Sequence, residues 1–512
     1  MENRFLAFLN KIFSRFTFTV IVIVAQLVYF FLLLFRVVDN MQWVSVFFAI
    51  AGVICILYVI WRDHNPAYKI GWVLLMSLMP IMGVSLYLFF GNKRPARSLK
   101  KRLEPVEEAH KDDLVQEMEL TDSVGKNRRA GTSSYIANYG AYPAWIDSPV
   151  DYYESGEAFF EKLIDDLEGA ERFVFIEFFI VAEGVLLDRL LEVLSRKARE
   201  GVEIRIIYDD IGSAGRLSKK TLKQMKAWGI RTMPFNPLKP FLSLVYNNRD
   251  HRKIIVIDGY IGYTGGVNIA DEYVNELPRF GHWRDNGIRI EGRAVWNFTV
   301  MFLNMWNAFK PTDKEYSLFR AYESKLKHLP NSGVVQPFSD TPLDEENLSE
   351  NIYIDIINQA EDYVMITTPY LIIGNEMQTA LTLAAKRGVD VKIVTPGIPD
   401  KPLVYALTRS YYEPLIRNGV KIYEYDPGFM HGKVIVSDDR AAVVGTINLD
   451  FRSLYLHFEC GVLMIDEGVI PDIRIDVLRT ISKGHMIGSE DYRKYFAGKL
   501  FGVVLRVLSP VL

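Results

Sequence analysis

An internal repeat constrains the fold of this chain more than any other feature of its sequence. Between residues 134 and 512, four segments of the first half recur in the same order in the second half. The pairs are ERFVFIEFFI (171–180) and EDYVMITTPYL (361–371), REGVEIRIIYD (199–209) and KRGVDVKIVTP (386–396), WGIRTMPF (228–235) and NGVKIYEY (418–425), and HRKIIVID (251–258) and HGKVIVSD (431–438). Strand-like segments that alternate with amphipathic helical patterns predict two α/β halves, each a mixed sheet flanked by helices. We expect these halves to occupy residues 134–325 and 326–512.

The last of these pairs carries the same polar residues at the same spacing. In each copy a histidine is followed by a lysine two residues later, an aspartate seven residues later and an asparagine seventeen residues later. The two sets are His251, Lys253, Asp258 and Asn268, and His431, Lys433, Asp438 and Asn448. A single histidine at the start of a strand is most often structural, but two with matching neighbours in a repeat indicate a shared site.

Side chains alternate along a strand, so the histidine and lysine of each copy lie on one face and the aspartate on the other. Two such faces would surround an anion with two imidazoles, two ammonium groups and two amides. This arrangement suits an in-line displacement at phosphorus, in which one neutral imidazole attacks and the other, protonated, gives its proton to the leaving oxygen.

The remaining polar residues of the motif are assigned supporting roles. We expect the lysines and asparagines to hold the non-bridging phosphate oxygens and to stabilise the added charge. Although Asp258 and Asp438 belong to the predicted catalytic motif, their position on the opposite face favours a structural role. The sequence shows no carboxylate cluster suited to Mg²⁺, and we predict that neither a metal ion nor another cofactor is required.

The doubled motif resembles that of the phospholipase D superfamily, in which H-x-K-x₄-D occurs twice. The resemblance implies two domains that share one active site, a covalent phosphohistidine, and a carboxylate in each half that orients a histidine. It assigns His251 as the nucleophile and His431 as the general acid. Glu459, 28 residues after His431, matches the orienting carboxylate, and Asp285, 34 residues after His251, is the candidate in the first half.

The same resemblance predicts further substrate contacts. Thr446 matches a hydroxyl position beside the phosphate, where the first half has Gly266. We therefore expect both positions to line the phosphate site together with Asn268 and Asn448.

Longer segments resemble bacterial cardiolipin synthases over essentially the full chain. These segments are PIMGVSLYLFFGNKR (80–94), NPLKPFLSLVYNNRDHRKIIVIDGYIGYTGGVNIADEY (236–273), GHWRDNGIRIEG (281–292) and NLDFRSLYLHFE (448–459). The resemblance implies transfer of a phosphatidyl group from one phosphatidylglycerol to another, giving cardiolipin and glycerol. The alternatives are a hydrolase on the same scaffold, either a membrane-bound phospholipase D or a nuclease, and a non-catalytic membrane scaffold. The net charge of −3 argues against nucleic acid as a partner.

The first 91 residues predict a membrane region with two or three hydrophobic helices. The apolar segments are Thr17–Phe35, Met41–Trp61 and Ile70–Gly91, the third interrupted by Pro80 and Gly83. A cleaved signal peptide would account only for the first of them. Basic residues at 93, 94, 97 and 100–102 follow the third segment and favour a catalytic part on the cytoplasmic face of a multi-pass protein of the bacterial cell membrane, next to anionic lipids.

Three further segments are expected to be peripheral. Residues 92–133 are strongly charged, which is typical of a solvated linker with one polar helix. The loop Asn236–Asp250 precedes the first histidine and could either contact acyl chains or pack as an insertion. The C-terminal segment YFAGKLFGVVLRVLSPVL (495–512) is amphipathic and suits either docking on the core or the lipid interface.

Overall fold

The computed structural model of this protein describes residues 24, 28, 42–62, 66–88, 97–115, 130–237, 248–327, 329–330, 333–488 and 506. The chain divides into two compact units. One comprises residues 1–99, 238–247 and 503–512, and the other comprises residues 100–237 and 248–502. The predicted apolar segment Thr17–Phe35, most of the loop before the first histidine and the amphipathic C-terminus lie outside the described residues, apart from positions 24, 28 and 506.

The first unit is helical in its described part. Its helices are α1 (Gln42–Trp61), α2 (Pro66–Leu78) and α3 (Pro80–Leu86). The predicted interruption of the third apolar segment is present, because Pro80 begins a new helix after Met79. At Gly83 a Cβ atom would lie 2.6 Å from the backbone of Met76, so only glycine permits this close approach. Among the described helices, none is both long and apolar enough to cross a membrane. The predicted transmembrane helices are therefore not confirmed.

The second unit contains two large mixed sheets. The strands of the first half are β1 (Val150–Tyr153), β2 (Phe173–Phe178), β3 (Glu203–Asp209), β4 (Arg231–Phe235), β5 (Ile254–Ile257), β6 (Ile261–Gly265), β7 (His282–Arg284) and β8 (Gly287–Glu291). Those of the second half are β9 (Val334–Asp340), β10 (Tyr363–Thr367), β11 (Asp390–Pro396), β12 (Lys421–Tyr425), β13 (Gly428–Met430), β14 (Val434–Ser437), β15 (Ala441–Gly445), β16 (Glu459–Ile465) and β17 (Gly484–Met486). A separate two-stranded sheet is formed by β7 and β13.

The strand order confirms the predicted repeat. The first sheet runs β4-β3-β2-β5-β6-β8-β1, and the second runs β12-β11-β10-β14-β15-β16-β9 with β17 added beside β12. The three strands β4-β3-β2 of the first sheet and β12-β11-β10 of the second are parallel, and the remaining neighbours in both sheets are antiparallel. Gly265 pairs with Gly287 in the first sheet, and Gly445 pairs with Gly461 in the second. This shared register makes Asp285 the structural counterpart of Glu459.

Helices cover and connect the sheets. Those of the second unit are α4 (Arg97–Ala109), α5 (Ala130–Tyr135), α6 (Gly156–Glu168), α7 (Val185–Arg199), α8 (Lys219–Ala227), α9 (Val295–Phe309), α10 (Glu323–Leu326), α11 (Leu348–Gln359), α12 (Asn375–Lys386), α13 (Pro402–Ser410), α14 (Tyr412–Ile416), α15 (Phe451–Tyr455) and α16 (Ile470–Ser482), with α4 beginning in the first unit. Helix α9 is buried along most of its length and contacts strands of both sheets. Within it, Asn297 donates hydrogen bonds to the carbonyls of Pro143 and Pro337, which ties residues of both halves together.

The charged linker contains the predicted polar helix, α4, but the interpretation of a solvated spacer is wrong for its described part. The ring of His110 stacks on Tyr316 with 3.5 Å between the ring centroids. Trp296 donates a hydrogen bond to the carbonyl of Asp113 at 2.6 Å, and Thr132 donates one to Asp355. Aromatic stacking and partly buried hydrogen bonds hold both described ends of this segment against the folded halves.

Candidate active site

Strand-like pairing between the two halves brings the first histidine to its carboxylate. Asp250 and Phe458 form a parallel β-bridge, in which His251 N donates to Phe458 O at 2.9 Å and Phe458 N donates to Arg249 O at 2.9 Å. Glu459 follows Phe458 directly, so its side chain lies next to His251. The imidazole Nδ1 lies 2.9 Å from each carboxylate oxygen of Glu459.

The second histidine is placed by an equivalent parallel pairing, in which the first half supplies the carboxylate and the second half the histidine. Strands β7 and β13 are parallel neighbours, and His431 N donates to Arg284 O at 2.7 Å. Asp285 follows Arg284, and its Oδ2 lies 2.7 Å from His431 Nδ1. Each half therefore supplies the carboxylate that orients the histidine of the other half. The resulting site contains residues of both repeats.

Burial controls the charge of these groups. Burial lowers the pKa of His251 to about 3 and that of His431 to about 4, although the carboxylate beside each ring opposes the shift. Burial alone would raise the pKa values of Glu459 and Asp285, but the histidines next to them hold both values below their usual range. In the free site both imidazoles are therefore neutral and both carboxylates are ionised at neutral pH.

The two lysines of the motif are buried beside their histidines. Lys253 Nζ donates to the carbonyl of His251 at 2.6 Å, whereas Lys433 Nζ lies 2.8 Å from the ring Nδ1 of His431 and also donates to its carbonyl. Burial lowers the pKa of Lys253 to about 8 and that of Lys433 to about 7. Buried ammonium groups of this kind require an anion, and a bound phosphate would supply one.

The two aspartates of the motif lie away from this cluster and bind backbone amides. Asp258 accepts hydrogen bonds from the amides of residues 171, 172 and 173 at 2.7–2.9 Å, and Asp438 accepts them from residues 361, 362 and 363 at 2.8–3.0 Å. Both adopt a positive φ, 55° and 54°. Each aspartate thus connects the end of one strand to the start of its neighbour, and both oxygens of each carboxylate accept hydrogen bonds from backbone amides.

Replacement of Asp258 by alanine is expected to reduce stability rather than chemistry. The substitution leaves three backbone amides without their charged acceptor, and we expect the free energy of unfolding in urea to fall by about 3 kcal/mol. Asp258→Asn keeps one acceptor oxygen and tolerates the positive φ, so its loss should be smaller. Activity per folded molecule should remain near that of the wild type in both variants. A folded Asp258→Ala enzyme without activity would instead assign this carboxylate to catalysis.

Asn268, Asn448 and Gly266 differ in the contacts that each makes within the protein. Asn268 Oδ1 accepts a hydrogen bond from Ile180 N at 3.0 Å, which fixes the side chain. Asn448 is buried, and its Oδ1 has no hydrogen-bond partner among the described residues. At Gly266 a Cβ atom would lie 2.0 Å from Asp285 Oδ1, so glycine makes room for the orienting carboxylate. The absence of a side chain at Gly266 therefore leaves space for Asp285.

Thr446 has a different partner from the one predicted. Its hydroxyl donates to Glu459 Oε2 and accepts a hydrogen bond from Cys460 N at 3.0 Å. The hydroxyl has one hydrogen to donate, and its donor contacts are with Glu459 Oε2 and the carbonyl of Cys460, so in this structure Thr446 supports Glu459. The sequence could not show this, since the contact arises from the pairing of β15 with β16.

One group of side chains could in principle hold a metal ion. Among the described residues, donor atoms of His251, His457 and Glu459 lie within 4.8 Å of one another. However, His251 Nδ1 already shares a hydrogen with the Glu459 carboxylate. A metal ion would have to break the contact that orients the imidazole, so the pair of His251 and Glu459 fits an orienting hydrogen bond better than a metal centre.

Sequence reasoning missed Trp283 as a residue of the site. Its indole Nε1 donates to Asp285 Oδ2 at 3.2 Å, and its ring centroid lies 5.2 Å from that of His431. The available signal was its position two residues before a predicted orienting carboxylate. Tyr273 and Phe429 also contact the His431 ring, whereas Phe179 and His457 lie next to His251. The two half-sites thus have equivalent backbone pairing, but different aromatic side chains surround the two histidines.

Comparisons with known proteins agree with this architecture. A family model described as "Cardiolipin synthase, PLD-like domain" matches residues 163–306 and again 353–476, and one described as "Phospholipase_D-nuclease N-terminal" matches residues 49–92. An uncharacterized protein of Streptococcus mutans is 40% identical, covering 89% of this chain and 99% of its own length. A cardiolipin synthase of Geobacillus kaustophilus is 33% identical, covering 91% and 93% respectively. The crystal structure of the phosphatidylserine synthase of Haemophilus influenzae superposes with a TM-score of 0.54 at 16% identity, over 71% of this chain and 95% of that one, which shows a shared fold.

Proposed function

This chain belongs to the cardiolipin synthase family of phospholipase D-like proteins, and on that premise we propose that it converts two phosphatidylglycerol molecules into cardiolipin and glycerol. The observation that carries the proposal is the pair of crossed histidine–carboxylate contacts, His251 with Glu459 and His431 with Asp285, beside two buried lysines. Two oriented imidazoles in one site can divide a displacement at phosphorus into two steps, each with its own proton transfer.

His251 is the nucleophile in the first step. Glu459 contacts its Nδ1 with both oxygens, which favours a hydrogen on Nδ1 and leaves the lone pair of Nε2 for attack. The bond from Nε2 to phosphorus forms as the bond from phosphorus to the glycerol oxygen breaks. His431, in its imidazolium form, gives its Nε2 proton to the departing oxygen, and glycerol leaves.

His431 suits the residue that must alternate between acid and base. Its Nδ1 has two neighbours, the Asp285 carboxylate and the Lys433 ammonium, so neither tautomer is held exclusively. The bound phosphodiester is an anion and raises the histidine pKa from its low value in the free site, which allows the imidazolium to form. In the second step the neutral ring takes the proton from the hydroxyl of a second phosphatidylglycerol as that oxygen attacks phosphorus and the bond to His251 breaks.

The lysines give the reaction a dependence on pH with a defined sign. Their ammonium forms neutralise the phosphate, and their pKa values of about 7 and about 8 mean that the charge is lost as pH rises. The pH dependence of kcat/KM reflects the pKa values of groups in the free enzyme. We therefore expect kcat/KM to fall as pH rises above about 7. Bound phosphate favours the charged lysines, so kcat should fall only at higher pH. Rates measured between pH 5 and pH 9.5 check this, and a kcat/KM that stays level to pH 9 would contradict it.

The N-terminal part supports a location at the membrane. We infer that the apolar segments anchor the chain in the bacterial cell membrane and that the catalytic part lies on its cytoplasmic face. The basic residues after the third apolar segment support this orientation, since positive charge is retained on the cytoplasmic side and is attracted to anionic lipids. Resistance of the catalytic part to protease in intact spheroplasts, with cleavage after lysis, is the expected result, and cleavage in intact spheroplasts would contradict it.

Product analysis tests the proposed reaction. The full-length protein is incubated in phosphatidylglycerol vesicles with EDTA, and lipids and free glycerol are quantified. Cardiolipin and glycerol in equal amounts are expected. Phosphatidic acid without cardiolipin would instead identify a hydrolase on the same scaffold.

A further inference from the structure

The residues two positions before the orienting carboxylates are a related pair. Trp283 precedes Asp285 and His457 precedes Glu459, and the shared register of the two sheets makes these positions equivalent. Both are aromatic rings that carry an N–H group. The Trp283 ring lies 5.2 Å from that of His431, and the His457 ring lies 5.7 Å from that of His251, measured between centroids.

The two rings differ in their hydrogen bonding. Trp283 donates to Asp285 Oδ2 at 3.2 Å. The Nδ1 atom of His457 lies 3.8 Å from Glu459 Oε1, which is beyond hydrogen-bond distance. In the described part of the chain, both ring nitrogens of His457 are buried and have no hydrogen-bond partner, and only 11% of the side chain is exposed. A buried polar atom without a partner is unfavourable, so a state in which the His457 nitrogens are paired is favoured.

We propose that His457 is a positioning residue that donates a hydrogen bond from Nδ1 to Glu459 when substrate occupies the site, as Trp283 does to Asp285. A shift of about 1 Å is sufficient to close the present gap to hydrogen-bond length. The Glu459 carboxylate would then be held by the His457 ring in addition to the Thr446 hydroxyl, and its contact with His251 Nδ1 would be fixed. His457 itself does not touch the reacting atoms.

The consequence concerns the attack of His251 on phosphorus. A second donor holds the carboxylate in the plane of the imidazole and keeps the hydrogen on Nδ1, so that Nε2 is directed at the phosphate. Loss of this donor should lower kcat and leave KM nearly unchanged, because His457 does not bind the lipid. The inference rests on the proposed role of His251 for its effect on the first step, but not for its effect on overall turnover.

A matched pair of substitutions tests it. His457→Asn places an amide donor near the position of Nδ1, and His457→Leu has nearly the same size without a donor. We expect the leucine variant to lose about 10-fold to 100-fold in kcat and the asparagine variant to stay within about threefold of the wild type, since partners that orient an active residue typically contribute this much. The same pair at His485, which is half exposed and bound to Asp426, should change nothing.

Folding and the proposed function are controlled separately. Thermal melting shows whether each variant folds, and His457→Phe replaces the leucine variant if that variant does not fold. The comparison is made on steady-state kcat for cardiolipin formation, whichever histidine is the nucleophile. Equal kcat values for the asparagine and leucine variants would overturn the role of His457 even if His251 is shown to be the nucleophile. An increase in KM with no change in kcat would overturn it as well, because it would place His457 in lipid binding.

Discussion

Replacement of His251 by alanine is expected to abolish cardiolipin formation, with a loss of at least about 10⁴-fold in kcat, because it removes the imidazole to which the bond from phosphorus is assigned. His431→Ala should cause a similar loss with phosphatidylglycerol, since glycerol is a poor leaving group without a proton donor. Residual rates are measured as cardiolipin formed in phosphatidylglycerol vesicles. The two losses should not add in the double variant, because the histidines act on the same reaction coordinate.

The control is a histidine outside the site. His485→Ala removes a half-exposed ring bound to Asp426 and should retain full activity. Thermal melting checks that both active-site variants fold, because the His431 ring contacts Trp283 and Phe429 and the His251 ring contacts Phe179. Cardiolipin formation above about 1% of the wild-type rate in folded His251→Ala enzyme would exclude this residue as the nucleophile.

The Glu459→Gln variant is expected to lose about 10³-fold to 10⁴-fold in kcat. Glutamine keeps the size of the side chain, but it can turn its amide group towards His251 and hold the imidazole in the wrong tautomer, with the hydrogen on Nε2. Glu459 and His251 belong to different halves of the repeat. We nevertheless expect the loss, because Glu459 Oε1 lies 2.9 Å from His251 Nδ1. Activity is measured in the vesicle assay.

A matched variant and a control accompany the Glu459→Gln measurement. Asp285→Asn should produce a comparable loss through His431, because its contact at 2.7 Å is the counterpart of the first. Glu413→Gln changes a surface residue that pairs with Arg417 and should have no effect. Activity of Glu459→Gln within tenfold of the wild type would show that the crossed carboxylate is not needed to orient His251.

Much of the fold and part of the site could be predicted because they depend on local spacing. The repeat of apolar segments identified the strands on both sides of each histidine, and both sheets have the same order. Lys253 lies beside His251 and Asp258 binds backbone amides, although β5 begins at Ile254 and ends at Ile257 and therefore contains none of these three residues. Resemblance to a family supplied Glu459 and Asp285, which spacing alone would not have singled out.

What could not be predicted depends on contacts between distant parts of the chain. The crossing of the carboxylates follows from the bridge between Asp250 and Phe458 and from the pairing of β7 with β13, neither of which leaves a local pattern. The contact of the Thr446 hydroxyl with Glu459 on β16 likewise leaves no local pattern in the sequence. The linker was interpreted from its charge, whereas the stacking of His110 on Tyr316 depends on one aromatic residue about two hundred positions away.

A substrate whose leaving group needs no proton separates the two histidines most directly. A phosphatidyl ester of p-nitrophenol releases a coloured phenolate without an acid, so His431→Ala enzyme should release one equivalent in a burst and then stop, because the base for the second step is missing. Peptide mapping of the trapped protein should locate the phosphatidyl group on His251, and His251→Ala enzyme should show no burst. A burst in the His251→Ala enzyme, or a phosphatidyl group located on His431, would contradict the account.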